Sequence, residues 1–289
     1  MSAFLLRLRR IFLYLALTLP LMPVQAVLVL LGSRLAAKLP LFYHRRTSRI
    51  LGFEVETIGA PSTHRPTLFV VNHVSYLDIE ILGGVIEGSF IAKREVAGWP
   101  LFGWLAKLQR TVFIERRQHT THHQRDAILD RLRAGDDLIL FPEGTSGDGN
   151  RVLPFKSALF GAVHGAHLPH PVAVQPVSLA YTRLDGMPLG RFFRPFFAWY
   201  GDMDMGSHLW AMLGLGQTGV VVQFHSPVSA ESFHSRKAMA DHCWRVVSAG
   251  VASALAGRPQ PVEPTPAVRP LPVAEPAVPT AAVAEVAGG

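Results

Sequence analysis

An uncharged, apolar stretch near the start of the chain constrains this protein more than any other feature. It covers 23 residues, from Ile11 to Ser33, and lies between Arg10 and Arg34. About 20 apolar residues are enough for one helix to cross a bilayer. Pro20 and Pro23 interrupt the stretch, however, and each proline removes a backbone donor and disfavours helix in the residue before it. We therefore predict a helical membrane anchor that turns at the prolines into a shallow hairpin with both ends on the cytoplasmic face; a single kinked span is the alternative.

The charge distribution favours a membrane surface as partner. The chain has 28 Lys and Arg against 21 Asp and Glu, a net charge of +7, yet only 17% of its residues are charged and 49% are hydrophobic. Soluble domains carry about 25% charged residues, and no acidic residue precedes Glu54. We expect an anionic lipid surface and no nucleic acid. The order of the basic start, the apolar stretch and Val24-Gln25-Ala26 also fits a cleaved signal peptide, but apolar residues continue to Leu31 and a second basic cluster follows.

Beyond the anchor, short apolar strands alternate with helical segments. The predicted strands are 67–71, 89–92, 111–114, 137–141, 171–181 and 219–224, and the predicted helices are 79–86, 100–108, 119–133, 157–165 and 231–255. Continuous apolar strands between helices indicate a largely parallel sheet flanked by helices, an α/β fold. In such a sheet the functional loops lie at the carboxyl ends of the strands.

The chain divides into three regions by composition. We expect a basic, apolar anchoring segment over residues 1–45, an α/β domain over 46–257, and a disordered tail over 258–289, because the tail is rich in proline and alanine and has no aromatic residue to pack a core. A single cysteine, Cys243, rules out a disulfide framework and a multi-cysteine metal site. We expect neither a metal nor a cofactor.

The first candidate site follows the strand at 67–71, in the sequence NHVSYLD at 72–78. Ser75 and Asp78 have the spacing of a capping box that opens a helix, which is the structural explanation of this segment. Across a loop that enters a helix, Asp78 can also accept a hydrogen bond from one ring nitrogen of His73 and leave the other nitrogen free as a general base. This is a catalytic triad without its nucleophile, which would have to come from the substrate.

Two further segments also follow strands. In FPEGTS at 141–146, Gly144 permits close backbone approach, and Thr145 and Ser146 offer donors suited to a polar or anionic head group; a plain turn is the alternative. In VFIER at 112–116, the strand delivers Arg116, whose guanidinium suits a phosphate or carboxylate. Paired surface arginines such as Arg116 and Arg117 are, however, usually only solvated.

Together, these segments resemble the blocks of the glycerolipid acyltransferases, whose type member is 1-acyl-glycerol-3-phosphate acyltransferase. NHVSYLD at 72–78, TVFIER at 111–116, FPEGTS at 141–146 and PVAVQPVSL at 171–179 stand in the family's order. The resemblance implies that His73 is the general base, that Asp78 orients it, and that a lysolipid hydroxyl attacks the thioester of acyl-carrier protein or acyl-CoA. It also implies the bacterial inner (cytoplasmic) membrane, with the active site on its cytoplasmic face. The residues expected to bind substrate are Asn72, Arg116, Glu143, Gly144, Thr145, Ser146 and Lys156.

One departure from the family pattern bears on the acceptor. The third block usually reads Glu-Gly-Thr-Arg, with the arginine on the acceptor's phosphate, and Ser146 stands in that place. Segments at 95–113, 148–159 and 198–210 resemble a bacterial branch of the family that acylates lyso-ornithine lipid, whose head group is an amino acid. We expect lyso-ornithine lipid as acceptor. The alternatives are lysophosphatidic acid and, more distantly, a lipase or thioesterase reaction with Ser146 as nucleophile.

Overall fold

The computed structural model describes residues 2–114, 121–164 and 171–258. The helices are α1 (Ala3–Leu30), α2 (Leu35–Leu51), α3 (Leu77–Gly83), α4 (Phe102–Leu108), α5 (Thr121–Arg133), α6 (Met205–Leu213) and α7 (Arg236–Leu255). The strands are β1 (Phe53–Ile58), β2 (Thr67–Val71), β3 (Ser89–Lys93), β4 (Val112–Ile114), β5 (Leu138–Leu140), β6 (Ala173–Leu184), β7 (Met187–Pro188), β8 (Thr218–Phe224) and β9 (Val228–Ser229). Short 3₁₀ helices lie at Arg94–Gly98, Ser157–Ala162, Arg194–Phe196 and Ala230–Ser232.

The strands form one sheet in the order β1-β8-β6-β2-β5-β3-β4. The pairings β1–β8, β2–β6, β2–β5, β3–β5 and β3–β4 are parallel, and β6–β8 is antiparallel. The short strands β7 and β9 pair with β6. The prediction of a largely parallel sheet between helices is therefore confirmed.

Apolar side chains cover both faces of the sheet. On one face, α7 packs Met239, Cys243 and Val247 into the core. On the other face, α3 contributes Leu77 and Ile81. Because both faces are covered, every residue of β2 is buried, as expected for a central parallel strand. The carboxyl ends of β2 and β5 then meet at one edge of the sheet, where the predicted site loops begin.

Most predicted elements are confirmed, with small shifts at their ends. β2 has the predicted bounds, and the helix predicted at 119–133 is observed from Thr121. The helix predicted at 157–165 is a 3₁₀ helix, Ser157–Ala162. The helix predicted at 231–255 is divided, because Ala230–Ser232 forms a 3₁₀ turn before α7 begins at Arg236.

The predicted turn at Pro20 and Pro23 is wrong. α1 continues through both prolines to Leu30, and the chain reverses only between α1 and α2. Hydrogen bonds to the rest of the molecule hold α1 on both sides of the prolines. Arg10 donates to the carbonyls of Leu213, Leu215 and Gly216, and Gln25 donates to those of Ala36 and Leu108. These contacts offset a helix penalty of about 3 kcal/mol for each proline.

α1 is polar on its buried side and apolar on its exposed side. Its buried residues are Arg10, Thr18 and Gln25, spaced by about two helical turns, and Thr18 shares a hydrogen bond with Tyr43 of α2. The large exposed side chains of α1 include Phe4, Leu5, Leu8, Phe12, Leu19, Val24, Val27 and Leu30. This is the reverse of a helix on a water-soluble domain. The expected domain boundary at residue 45 falls inside α2. One part of this helix therefore belongs to the expected anchoring segment and the other part to the expected α/β domain.

Candidate active site

The first candidate pair meets at the carboxyl end of β2. The Nδ1 atom of His73 lies 2.8 Å from Oδ2 of Asp78, which is the second residue of α3. The five-residue spacing brings the side chains together because residues 72–76 form a loop between β2 and α3. Since a carboxylate can only accept, Nδ1 carries the proton, and Nε2 keeps its lone pair.

The carboxylate of Asp78 is fully occupied by donors. Oδ2 also accepts from the backbone N–H groups of Val74 at 2.7 Å and Ser75 at 3.0 Å, and Oδ1 accepts from the Tyr181 hydroxyl at 2.8 Å. Burial raises the pKa of Tyr181, and the neighbouring carboxylate raises it further, so the phenol stays protonated and donates. Asp78 thus caps the chain before α3 and orients His73 with the same oxygen. The contacts of a helix cap and the geometry that a general base requires are therefore present in the same segment.

The imidazole of His73 packs against an aromatic ring on one face and is partly exposed to solvent. The Phe141 ring stacks on it with centroids 4.1 Å apart, and Phe90 stacks behind Phe141 at 6.2 Å. The side chain of His73 is 22% exposed, whereas Asp78 is 0% exposed. Within residues 2–114, 121–164 and 171–258, Nε2 has no hydrogen-bond partner. A fixed imidazole with an accessible lone pair has the geometry of a general base.

Glu143 lies directly behind this pair, after β5. Its Oε1 accepts from the His73 backbone N–H at 2.8 Å, and its Oε2 accepts from the Leu153 N–H at 3.0 Å. Burial raises the pKa of Glu143 to about 8, and these two hydrogen bonds oppose the rise. The carboxyl group joins the loop of His73 to the loop after β5 from inside the protein, so its visible role is to position His73.

The raised pKa of Glu143 makes stability depend on pH. Between its ordinary value of 4.5 and about 8, the folded state holds this proton more strongly than the unfolded chain. The free energy of unfolding therefore falls as pH rises through this window, by up to about 1.4 kcal/mol per pH unit. Glu143→Gln, which cannot titrate, should lose this slope. Urea unfolding of both proteins in detergent at pH 5, 6, 7 and 8 measures the difference. If the free energy of unfolding depends on pH with the same slope in both proteins, the raised pKa of Glu143 is wrong.

Asn72 is turned into the protein. Its Nδ2 donates to the Leu179 carbonyl at 2.9 Å, and its Oδ1 accepts from the Leu179 N–H at 2.8 Å. The side chain is 3% exposed. Both functions of the amide are used on the backbone of β6, so Asn72 fixes the start of the His73 loop to the neighbouring strand.

The other predicted binding residues lie around the loop after β5. The Lys156 side chain passes over Gly144, whose φ is +67°, so that a Cβ at Gly144 would lie 2.8 Å from Nζ. Thr145 and Lys156 are exposed. The Gly147 N–H donates to the His73 carbonyl at 2.9 Å, which brings this loop against the first one. Arg116 lies outside the described residues.

The hydroxyl of Ser146 is bound to a segment from later in the chain. It donates to the Trp199 carbonyl, and the Trp199 N–H donates to the Val74 carbonyl at 3.0 Å. The Trp199 ring lies edge-on to Tyr76 at 5.8 Å and to Trp99 at 5.9 Å. One residue of the 198–210 segment is therefore fixed to both loops of the site, and its ring belongs to an aromatic rim beside them.

An apolar cavity of about 450 Å³ opens beside this rim. Tyr76 and Leu77 of the first motif line it, as do Phe90, Trp99, Phe102 and Leu105, and α1 and α2 form the opposite wall. Three polar residues also line the cavity: the His44 imidazole forms a hydrogen bond with the Glu80 carboxylate at 2.8 Å and with the Gln109 side chain at 2.9 Å. Phe90, which lines the cavity, stacks on Phe141, and Phe141 stacks in turn on His73.

Comparison with known proteins identifies the family. Residues 53–180 match the family model described as Acyltransferase. The chain is 48% identical over 250 residues to a lyso-ornithine lipid O-acyltransferase of Brucella abortus, which covers 85% of this chain and 94% of that protein. This chain belongs to the acyltransferase family. The acyltransferase is also 43% identical over 224 residues to a protein of the same name from Rhizobium meliloti, across 76% of this chain and 77% of that one.

More distant relatives carry another name. A 1-acyl-sn-glycerol-3-phosphate acyltransferase of Neisseria gonorrhoeae is 32% identical to this acyltransferase over 205 residues, 70% of this chain and 75% of that protein. The crystal structure of the 1-acyl-sn-glycerophosphate (LPA) acyltransferase PlsC from Thermotoga maritima superimposes with a TM-score of 0.63 at 24% identity, over 88% of this chain and 96% of that one. This last likeness confirms the fold.

Sequence reasoning missed three residues of the site. Tyr181 follows the motif at 171–179 by two residues, Trp199 lies in the 198–210 segment, and Phe141 begins FPEGTS, but none of the three has a sequence pattern that indicates a role in the site. The signal for Tyr181 is a tyrosine at the end of a mostly apolar strand. A buried tyrosine hydroxyl needs a partner, but the sequence does not say which.

Proposed function

We propose that this acyltransferase moves a fatty acyl group from a thioester donor to the free hydroxyl of lyso-ornithine lipid. The contact between His73 and Asp78 is the observation that carries the chemistry. Nε2 of His73 removes the proton of the acceptor hydroxyl while the oxygen attacks the thioester carbonyl. The carbon–sulfur bond then breaks, and the leaving thiolate takes the proton from the imidazolium. No protein nucleophile is needed, and Asp78 balances the positive charge on the ring.

The acyl chain of the donor or of the acceptor lies in the apolar cavity. Burial of methylene groups is favourable by about 0.8 kcal/mol for each CH₂, and the cavity wall is formed by side chains such as Ile11, Leu15, Leu105 and Leu209. Because Tyr76 and Leu77 of the motif that carries His73 belong to this wall, we expect a chain held there to have its reactive end near Nε2. Alignment of the two substrates raises the rate further, in addition to the contribution of the base.

Ser146 supports an acceptor without a phosphate ester. Its hydroxyl is used on the Trp199 carbonyl, at the position where the resemblance places a phosphate-binding arginine. The similarity to proteins named lyso-ornithine lipid O-acyltransferase over most of the chain points the same way. Lysophosphatidic acid is the second candidate, because relatives at 32% identity carry that activity in their name. In that case Lys156 or Arg116 would take the phosphate.

The polarity of α1 supports association with a membrane. Within the described part of the chain, α1 is the helix long and apolar enough to cross a bilayer. Arg10 and Gln25, near its two ends, are both bonded to the catalytic domain, so the helix lies along the domain with its apolar side outward. We place the enzyme on the cytoplasmic face of the bacterial inner membrane, with residues 1–45 as anchor, 46–257 as catalytic domain and 258–289 as a tail, of which only Arg258 is among the described residues.

The donor is acyl-carrier protein or acyl-CoA. Both are anionic, and the net charge of +7 attracts either one. A transfer assay in detergent decides donor and acceptor together, with each thioester offered to lyso-ornithine lipid and to lysophosphatidic acid. We expect transfer to the ornithine acceptor. Transfer to lysophosphatidic acid alone would overturn the acceptor, and transfer to neither would overturn the proposed function.

Ser146→Ala separates transfer from hydrolysis. We expect a change of about two- to tenfold in acyl transfer, the equivalent of one neutral hydrogen bond, because only the tie to Trp199 is lost. A hydrolase with Ser146 as nucleophile would lose its activity altogether. Initial rates of acyl transfer and of thioester hydrolysis, measured side by side, distinguish the two. Thr63→Ala, at an exposed hydroxyl residue before β2, is the matched control.

A further inference from the structure

Three phenylalanines project from the surface in one short segment of the acyltransferase. Phe192, Phe193 and Phe196 are 82%, 57% and 56% exposed. Their rings contact one another, with centroids 5.6 Å apart for Phe192 and Phe193 and 6.2 Å apart for Phe193 and Phe196. Arg191 is exposed beside them, and Arg194 is half-buried. We call these five residues the aromatic–arginine patch. Exposed aromatic clusters of this kind mark interaction surfaces.

The patch is held outward by its neighbours in the chain. Phe197 is 2% exposed and stacks on Tyr181 at 5.4 Å, which anchors the segment to the core. Arg194 donates to the Leu189 carbonyl at 3.2 Å and to Oδ1 of Asn150 at 3.3 Å. The rings therefore do not fold back onto the protein, although burial of a phenylalanine is favourable by about 1.5–3 kcal/mol. Their exposure is a property of the fold.

The patch and α1 are neighbours across α6. His208 of α6 bonds to the Phe196 carbonyl at 3.1 Å. Two residues on, Trp210 contacts Phe4 of α1, with ring centroids 6.3 Å apart, and the Arg7 guanidinium lies 5.0 Å from the Trp210 ring. Trp210 is itself partly exposed. The patch thus extends the exposed apolar side of α1 toward the active site.

We propose that the aromatic–arginine patch is a second membrane contact, which inserts its phenylalanines into the interface of an anionic bilayer. Aromatic rings and arginine side chains together suit this region, because the rings enter the apolar side and the guanidinium groups remain with the lipid phosphates. The proposal rests on the membrane association of α1 proposed above. An acidic carrier protein would also attract Arg191, but three projecting rings present no groove for it and continue an apolar surface that faces lipid.

The consequence lies in the position of the next residues. Phe197 and Ala198 lead directly into Trp199, which is bonded to Val74 and Ser146 at the active site. When the patch is inserted in the bilayer, Trp199 and the two loops bonded to it lie at the lipid surface. A lysolipid can then reach His73 from the membrane without passing through water.

A spin label at position 192 tests this in the full-length protein. Cys243 is the only cysteine and is 0% exposed, so Phe192→Cys provides one accessible thiol. The control is Asp241→Cys, on the exposed side of α7, whose buried side packs on the opposite face of the sheet from α3. Vesicles of phosphatidylethanolamine and phosphatidylglycerol are added, and collisions with oxygen, which concentrates in lipid, are compared with collisions with a water-soluble nickel chelate.

On vesicle binding, we expect the label at 192 to lose nickel accessibility and gain oxygen accessibility, while the label at 241 stays accessible to nickel. Equal nickel accessibility of both labels would overturn the proposal. Protection that occurs only when acyl-carrier protein is added would also overturn it and would assign the patch to the carrier. These results do not depend on which acceptor is acylated, so they are independent of the outcome of the transfer assay.

A kinetic comparison adds a second readout. Phe192→Ser, Phe193→Ser and Phe196→Ser combined should slow transfer to acceptor embedded in vesicles and leave transfer to detergent-dispersed acceptor unchanged. Equal rates for the variant and the parent on vesicles would overturn the proposal. If the parent itself is inactive in detergent, the proposed function fails instead.

Discussion

His73→Ala is expected to lower the rate of acyl transfer by about 10²–10⁴, the usual contribution of a positioned general base. Among the described residues the ring makes one hydrogen bond, which it donates to Asp78, and in the alanine variant Oδ2 of Asp78 keeps the N–H donors of Val74 and Ser75. Steady-state transfer with saturating donor and acceptor measures the loss. Binding should change little, so the loss should fall on kcat.

The control for this variant is His234→Ala, at an exposed histidine before α7. It should transfer acyl groups at the parent rate. Thermal unfolding in detergent shows whether His73→Ala is folded. If folded His73→Ala protein retains the parent's rate of acyl transfer, the proposed role of His73 as general base is wrong.

Asp78→Asn is expected to lower transfer by about 10²–10⁴ as well, for an electrostatic reason. The amide oxygen can keep the place of Oδ2, with its three donors, and the amide nitrogen then faces Tyr181, whose hydroxyl can rotate to accept. Orientation of the ring survives, but the negative charge that balances the imidazolium is lost. Rates measured from pH 6 to pH 9 show whether the loss persists across the range.

Tyr181→Phe tests a smaller change at the same carboxylate than Asp78→Asn does. It removes one donor to Oδ1 of Asp78 and keeps the charge and the stacking on Phe197. We expect a loss of about tenfold, in line with one hydrogen bond to a charged group. A loss as large as that of Asp78→Asn would show that placement of the carboxylate, and not its charge, dominates.

The sheet and the contact between His73 and Asp78 were predictable because local patterns specify them. Four consecutive apolar residues at 68–71 bury both faces of a strand, so β2 and the loop after it could be placed from the sequence. Once the strands are parallel, His73 and Glu143 must meet at one edge. The proximity of His73 and Asp78 then needs only a loop that leads into a helix.

Other features depend on contacts between distant parts of the chain. Local rules place a break at Pro20, and the hydrogen bonds of Arg10 and Gln25 override them. Trp199 reaches Ser146 across 53 residues, and Tyr181 reaches Asp78 across 103. A single sequence holds no signal for such pairs. The exposure of Phe192 is also unpredictable from composition, because phenylalanine usually packs in a core.

Because the buried side of α1 is polar, another hydrophobic helix cannot replace it. Arg10, Thr18 and Gln25 each bond to a fixed partner, so both the rotation and the axial position of the helix are set. A generic hydrophobic helix fused in its place would restore affinity for lipid but would leave one wall of the cavity without its side chains. Deleting α1 would likewise open one side of the apolar cavity, because the segment that resembles a leader in sequence forms part of the cavity wall.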